Sequence, residues 1–197
     1  VAAFCYDSEP AKIIGRLGRR DGQTDSDWFT FAVDPYYDKR SGYMFIVNPA
    51  GSISDYVLSN DVSEDETWDG VWEVKTQVNG QGWTVEMKVP FNQIRFPKKD
   101  EYVWGVNFLR MIRRKNEKTA FAWVPKSDTA FVSRFAPSAD PSAGILATVI
   151  DRALPRRRNP RRGWPSVGSI PSGCGRTRSP PGARWPHDSP AYLAANC

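Results

Sequence analysis

Histidine and closely spaced cysteines are missing from most of this 197-residue chain. The single histidine is His187, so residues 1–150 offer neither a histidine-based catalytic triad nor a histidine metal site. Cys5, Cys174 and Cys197 are too widely spaced to suggest a zinc motif or a disulfide framework, and we expect Cys5 to be a buried thiol. Apolar runs of roughly 18 residues are also absent, which excludes a membrane-spanning helix.

The excess of positive charge belongs to the end of the chain only. Residues 1–150 carry 18 Lys+Arg against 20 Asp+Glu, whereas residues 151–197 carry 9 Arg against 2 Asp, which together give the net charge of +5. A basic chain of this kind does not indicate a nucleic-acid surface on the first part, where no nucleic-acid partner is expected.

The C-terminal region differs in composition as well as in charge. Residues 151–197 hold 8 of the 16 prolines and lack Lys, Glu, Gln, Phe and Met, so residues 136–197 are predicted to be a disordered tail. The tail is either a natural basic arm or the product of a shifted reading frame. Because all nine lysines precede residue 127, we favour the frameshift. The chain also starts without Met inside strand-like sequence, which suggests that the first strands of the domain are missing.

The first 135 residues alternate between apolar and polar side chains with the period of a β-strand. Phe29, Phe31 and Val33 share one predicted face, and Asn79-Gly80 separates two further alternating runs as a hairpin turn would. Trp83 falls with the core residues, and Trp123 is placed in the core or at its rim. Short strands with frequent turn residues predict an all-β, antiparallel, jelly-roll-like sandwich.

Several motifs occur in the order found in one known family. "FCYDSEP", "WDGVW", "GWTVEMKVPF" and "WGVNF" resemble the family 9 carbohydrate-binding-module-like domain, a DOMON-like β-sandwich. The resemblance covers residues 1 to about 135. It is strongest to the version near the N-terminus of large bacterial proteins that are provisionally named hydrolases and continue into an outer-membrane-like β-barrel.

The resemblance implies a sugar site with a carboxylate, an arginine and two clamping tryptophans. At those positions this chain has Thr30 for the carboxylate, Ile46 near the arginine, Thr24 near the first tryptophan and Phe131 near the second. Thr30 and Phe131 are therefore kept as candidate sugar contacts, although their chemistry differs from the family pattern.

Other candidates follow from the residues themselves. Trp28 lies off the apolar face of its strand, and Tyr36 and Tyr37 occupy a turn-rich hairpin tip, so each is a candidate platform for a sugar ring. Arg110 alternates with core residues, and it is expected either to pair with a carboxylate such as Glu86 or to enter a ligand cleft.

Clustered acidic residues suggest a metal ion as a further possibility. Asp61, Glu64, Asp65 and Glu66 share one loop and are candidate ligands for a structural calcium ion, and a solvated acidic loop is the alternative. No residue is marked as catalytic.

Three hypotheses for function remain open at this stage. The domain is a non-catalytic carbohydrate-binding module of a larger cell-envelope protein in carbohydrate catabolism, part of a hydrolase of O-glycosyl compounds, or a structural domain that packs on the β-barrel of its parent chain. The resemblance implies a periplasmic, outer-membrane or cell-surface location in a Gram-negative bacterium. The sequence does not predict the oligomeric state.

Overall fold

A computed structural model describes residues 1–22, 24–125 and 127–139 and the backbone of two further strands at 146–149 and 194–196. Among these residues there are strands and short 3-10 turns but no α-helix, and no helix is long and apolar enough to cross a bilayer. The strands are β1 Ala2–Tyr6, β2 Trp28–Asp34, β3 Gly42–Val47, β4 Ile53–Ser59, β5 Ser63–Asp65, β6 Glu73–Asn79, β7 Gly82–Lys88, β8 Val103–Ile112, β9 Glu117–Ala120, β10 Ala136–Ala139, β11 Leu146–Val149 and β12 Ala194–Asn196.

These strands form two sheets. The five-stranded sheet has the order β12-β11-β1-β7-β6, and the seven-stranded sheet has the order β10-β8-β2-β3-β4-β5, with β9 also paired to β8. All pairs are antiparallel except β1 with β11 and β11 with β12. The predicted all-β fold with antiparallel sheets is confirmed.

The main core lies between the two sheets, because apolar side chains alternate along the facing strands. Phe29, Phe31 and Val33 of β2 point into it, as predicted, and Trp83 is fully buried from the opposite sheet. The ring of Phe31 stacks at 6.1 Å from Phe45 and 5.6 Å from Phe108. Aromatic packing across neighbouring strands therefore holds the inner face of the seven-stranded sheet.

Two local expectations need correction. The hairpin after β6 turns at Gly80-Gln81 and not at the predicted Asn79-Gly80, because Asn79 still belongs to β6 and pairs with Gly82. Trp123 was expected in the core or at its rim, but its side chain is 73% exposed. Trp123 follows the end of β9, where the strand alternation that buries neighbouring aromatic residues has stopped.

Strand pairing continues beyond the expected domain boundary at residue 135. β10 pairs with β8, and β11 lies beside β1, so parts of the predicted tail contribute strands. The rest of that tail lies outside the described residues, and both its predicted disorder and its origin stay predictions.

Candidate functional site

A cleft of about 480 Å³ opens on the outer face of the seven-stranded sheet, the face turned away from the five-stranded sheet. Its volume falls within the ~300–1,000 Å³ typical of small-molecule sites. Strands β2, β3, β4, β5, β8 and β9 contribute to it, together with Phe131 from the segment before β10. The lining residues are Gly22, Thr24, Trp28, Thr30, Met44, Ile46, Ser54, Tyr56, Glu64, Leu109, Arg110, Met111, Lys118 and Phe131.

The register of the central strands explains how the floor of the cleft forms. Thr30 of β2 lies opposite Ile46 on one side and Leu109 on the other. Directly paired residues project to the same face of a sheet, so these side chains point outward together. Trp28 lies opposite Met111 by the same rule and extends the floor towards one end.

The cleft is amphipathic. Trp28, Met44, Ile46 and Phe131 provide apolar and aromatic surface, while Thr30, Ser54, Tyr56, Glu64 and Lys118 provide hydroxyl, carboxylate and ammonium groups. A sugar ring needs both kinds of surface, since its C–H face stacks on an aromatic plane and its hydroxyls require donors and acceptors. This arrangement is chemically suited to a polyhydroxylated ring.

The wall that carries Phe131 is held in place by Asp61. The Asp61 carboxylate accepts hydrogen bonds from the N–H groups of Phe131 at 3.0 Å and Ser133 at 2.8 Å, and from the Ser133 hydroxyl at 2.9 Å. Although burial opposes ionisation, these bonds hold the pKa of Asp61 below its ordinary value. The ring of Phe131 also packs edge-on against Phe135 at 5.1 Å. Phe131 is therefore a fixed part of the cleft.

The positions that the family resemblance singled out meet in this cleft. Thr24, Thr30, Ile46 and Phe131, which are distant in sequence, all line it, and so does the independently chosen Trp28. The structure thus gathers these residues, and their contact with a sugar stays a prediction.

The two tyrosine candidates lie outside the cleft. The side chain of Tyr36 is 42% exposed, and the ammonium group of Lys39 sits 5.5 Å from the ring of Tyr37. Both residues belong to the β2–β3 connection, where the Asp34 carboxylate accepts a hydrogen bond from the Lys39 N–H at 2.8 Å. This turn projects beyond the sheet that forms the cleft floor.

Arg110 borders the cleft through its place in β8, but its guanidinium serves the core. Arg110 lies opposite the inward-facing Phe29, its side chain is fully buried, and it bonds to the Tyr6 carbonyl and, at 3.2 Å, to the Asp7 carboxylate. Arg114 also binds Asp7, at 2.6 and 2.7 Å. Of the two expectations for Arg110, the guanidinium pairs with a carboxylate and does not enter the cleft. The partner is Asp7, not the suggested Glu86.

Two arginines face the Asp7 carboxylate. Burial alone would raise the pKa of Asp7, but hydrogen bonds from Arg114 and the Glu9 N–H, with the charges of Arg114 and Arg110, hold it below the ordinary value. The arrangement satisfies the general requirement that a buried charge be paired.

The four candidate metal ligands do not converge. Glu64 pairs with Leu58 and faces the cleft, whereas Asp65 lies on the opposite side of β5 and binds Thr67. Asp61 is occupied by the Phe131 segment as described above, and Glu66 is exposed. Strand alternation in β5 separates neighbouring carboxylates, which the loop interpretation did not anticipate. Calcium binding itself stays a prediction.

A different carboxylate group does form among the described residues. Asp21, Asp55 and Asp69 have oxygens within 4.8 Å of one another. The Arg20 guanidinium lies among them, 2.5 Å from Asp55, 3.0 Å from Asp69 and 3.6 Å from Asp21. Arg20 thus supplies the positive charge of this cluster and ties its loop to β4.

Sequence reasoning missed several residues that line the cleft. Met44 lies on the outer face of β3, where its alternation with Phe45 gives a usable signal. Lys118 reaches the cleft because β9 pairs it with Met111. That pairing depends on a hairpin whose register is not visible in the sequence.

Comparison with known proteins supports the fold. No protein-family model matches the chain, and no curated protein matches it. Among solved structures, a provisionally described carbohydrate-binding protein from Bacteroides uniformis is similar, with a TM-score of 0.52 and 15% identity over 64% of this chain and 67% of that chain. Identity this low shows a shared β-sandwich fold and leaves the binding residues to be argued from this chain.

Proposed function

We propose that this β-sandwich is a non-catalytic carbohydrate-binding module and that the outer-face cleft is its binding site. The observation that carries the proposal is the meeting of Trp28, Thr30 and Phe131 in a cleft with both apolar and hydroxyl-binding surface. The indole of Trp28 is half-buried and held by a hydrogen bond from Nε1 to the Thr24 carbonyl at 3.3 Å. A fixed aromatic plane of this kind binds a sugar ring at little entropic cost.

Two further observations support the same proposal. The similar structure from Bacteroides uniformis is described as carbohydrate-binding. The motifs around "GWTVEMKVPF" resemble a carbohydrate-binding-module family whose expected contact positions lie in the cleft. Neither observation identifies the sugar.

The chemistry of the cleft favours binding over hydrolysis. Common glycosidase mechanisms use two carboxyl groups about 5–9.5 Å apart. Glu64 is the single carboxylate among the residues that line the cleft. Hydrolysis of chromogenic glycosides by the purified chain would contradict a non-catalytic role.

We further propose that the module belongs to a larger cell-envelope protein of a Gram-negative bacterium that takes part in carbohydrate catabolism. The family resemblance supports this context. Cell fractionation with an antibody against the module tests it, and recovery in the soluble cytosolic fraction would contradict it.

A glycan array with the whole chain tests the binding site directly. We expect saturable binding to at least one glycan. Trp28→Ala should weaken it by at least about tenfold, since burying an aromatic face contributes roughly 1.5–3 kcal/mol. Tyr37→Ala is the matched control because Tyr37 is an aromatic residue outside the cleft. Glycan binding by this variant should equal that of the unaltered protein.

Thermal melts of both variants separate lost binding from lost folding. Equal losses in the two variants would contradict the proposed location. Binding to no glycan at all would contradict the function and favour a structural role.

A further inference from the structure

A second depression adjoins the cleft at its Trp28 end. It has a volume of about 340 Å³. Thr24, Trp28 and Met111 line both spaces, so the two depressions share a boundary built from these side chains. The other residues of the second depression are Asp25, Ser26 and Arg113.

Trp28 stands where the two depressions meet. Trp28 is half-buried, so part of its ring remains accessible, and the small side chain of Thr24 stands beside it. The Thr24 hydroxyl is fixed by a hydrogen bond to Ser26 at 3.1 Å. Because Thr24, Trp28 and Met111 belong to both linings, a ligand that reaches them from the cleft also reaches the edge of the second depression.

The second depression differs from the first in its chemistry. It contains an ion pair in which Arg113 Nε donates to Asp25 Oδ1, and the two side chains remain 46% and 45% exposed. The backbone N–H of Arg113 is bound to Asp27 at 2.9 Å, which fixes the base of the side chain. A carboxylate beside a guanidinium offers an acceptor and several donors to a pair of neighbouring hydroxyls.

We infer that the site takes an oligosaccharide chain, with successive sugar units in the two depressions that meet at Trp28, and not a single sugar ring. The cleft holds one unit against Trp28 and Phe131, and the Asp25–Arg113 depression holds the hydroxyls of the next. This inference rests on the proposed carbohydrate-binding function. It adds that affinity depends on chain length.

Calorimetric titration of the whole chain with oligosaccharide ladders tests the inference. The probes are ladders from one to four units of β-1,4-glucan, β-1,4-xylan, α-1,4-glucan and homogalacturonan. For the ladder that binds, we expect affinity to rise roughly tenfold or more from one unit to the length that fills both depressions, because charged groups contribute strong hydrogen bonds. Affinity should then level off.

Two variants locate the additional contacts. Arg113→Ala should reduce the affinity for the longer members to about that of the shortest one. Lys88→Ala is the control, because Lys88 forms a comparable exposed ion pair with Glu73 at 3.2 Å on the other sheet, and its ladder should match that of the unaltered protein.

The possible failures are distinguishable. Equal affinity at every length would overturn the inference while leaving the binding function standing. A longer-chain advantage that survives in Arg113→Ala would overturn the second depression as its cause. The absence of binding by every ladder would overturn the proposed function and this inference together.

Discussion

The two faces of the seven-stranded sheet use the same strands for opposite purposes. Its inner face is closed by aromatic rings and by the other sheet, and Phe29, Phe45 and Val33 are fully buried there. Its outer face is only partly covered, by a smaller cluster that Val132 and Phe135 complete, and the cleft remains beside that cover. One alternating pattern therefore encodes both the core and the face that carries the proposed binding cleft.

Charged side chains also differ between the two faces in their burial and in their pairing. The inner Arg110 is fully buried and matched to Asp7, whereas Glu64 and Lys118 stay exposed at the cleft. A buried charge that loses its partner remains desolvated and unpaired, which costs a large free energy. An exposed charge, by contrast, can exchange its bound water for a ligand. The inner ion pair is therefore fixed within the fold, whereas the outer charges stay accessible from the cleft.

The adjacent residues Phe29 and Trp28 point to opposite faces of the sheet, so mutating each one tests the difference between the faces directly. Phe29→Ala should lower the free energy of unfolding by about 3–5 kcal/mol, because it empties a fully enclosed site. Trp28→Ala should lower it by clearly less, because the indole is only half-buried, yet it should weaken sugar binding by at least about tenfold. Urea denaturation and glycan binding measure the two effects. Similar unfolding losses from both variants would contradict the assignment of the two faces.

The two arginines of β8 and its following turn provide a second contrast. Arg110→Ala leaves Asp7 with one arginine partner fewer in a buried position and should destabilise the fold by about 3 kcal/mol. Arg113→Ala removes an exposed ion pair and should cost less than about 1 kcal/mol. Denaturant midpoints at matched pH compare them. An Arg110 variant as stable as the Arg113 variant would show that the buried pair is not needed.

The sequence allowed the two faces to be predicted where the period of two is clear. The positions of Phe29, Phe31 and Val33 imply that Trp28 and Thr30 point the other way, and they do. The family resemblance added Phe131, which no local pattern would have joined to β2.

Other features depend on tertiary contacts that local patterns do not carry. The Arg110 partner Asp7 is 103 residues away in sequence, so strand alternation alone does not distinguish it from Glu86. Which part of the outer face stays open depends on Asp61, whose carboxylate fixes the path of the Phe131 segment. The acidic composition of its loop predicts a metal ligand and does not reveal these hydrogen bonds.

The buried carboxylates Asp27 and Asp7 should respond to pH in opposite directions. Burial raises the pKa of Asp27, opposed by the Arg113 N–H and the charge of Arg110, and Asp27 Oδ2 has no hydrogen-bond partner in the described part of the chain. Because the pKa of Asp27 is higher in the folded state, protonation of this carboxyl favours folding below the unfolded-state pKa of about 3.9. This contribution is lost as the pH rises through the folded-state pKa. Asp27→Asn should therefore gain stability over the unaltered protein as pH increases.

Asp7→Asn should behave in the reverse manner. Because the pKa of Asp7 is lower in the folded state, the ionised carboxylate stabilises the fold above the unfolded-state pKa. This contribution is lost as the pH falls through the folded-state pKa. The variant should thus be less stable near about pH 7, and the deficit should shrink towards acid pH. Urea denaturation across this range measures both variants. Parallel pH profiles for the two would contradict the assignment of Asp7, but not Asp27, to the paired network.

The smallest expected effect concerns a thiol and leaves the fold unchanged. Burial raises the pKa of Cys5 to about 12, because β1 carries its side chain into the core with no exposed surface. The reactive thiolate is then absent at ordinary pH, and the site is closed to reagents. In a chain with Cys174 and Cys197 changed to serine, Cys5 should resist iodoacetamide until denaturant is added.

Glu64→Cys in that background places a thiol at the cleft. This thiol should be alkylated quickly in the folded protein, with loss of glycan binding. Peptide mapping by mass spectrometry measures alkylation at the two sites separately. Rapid alkylation of Cys5 in the folded chain would contradict its burial between the two sheets.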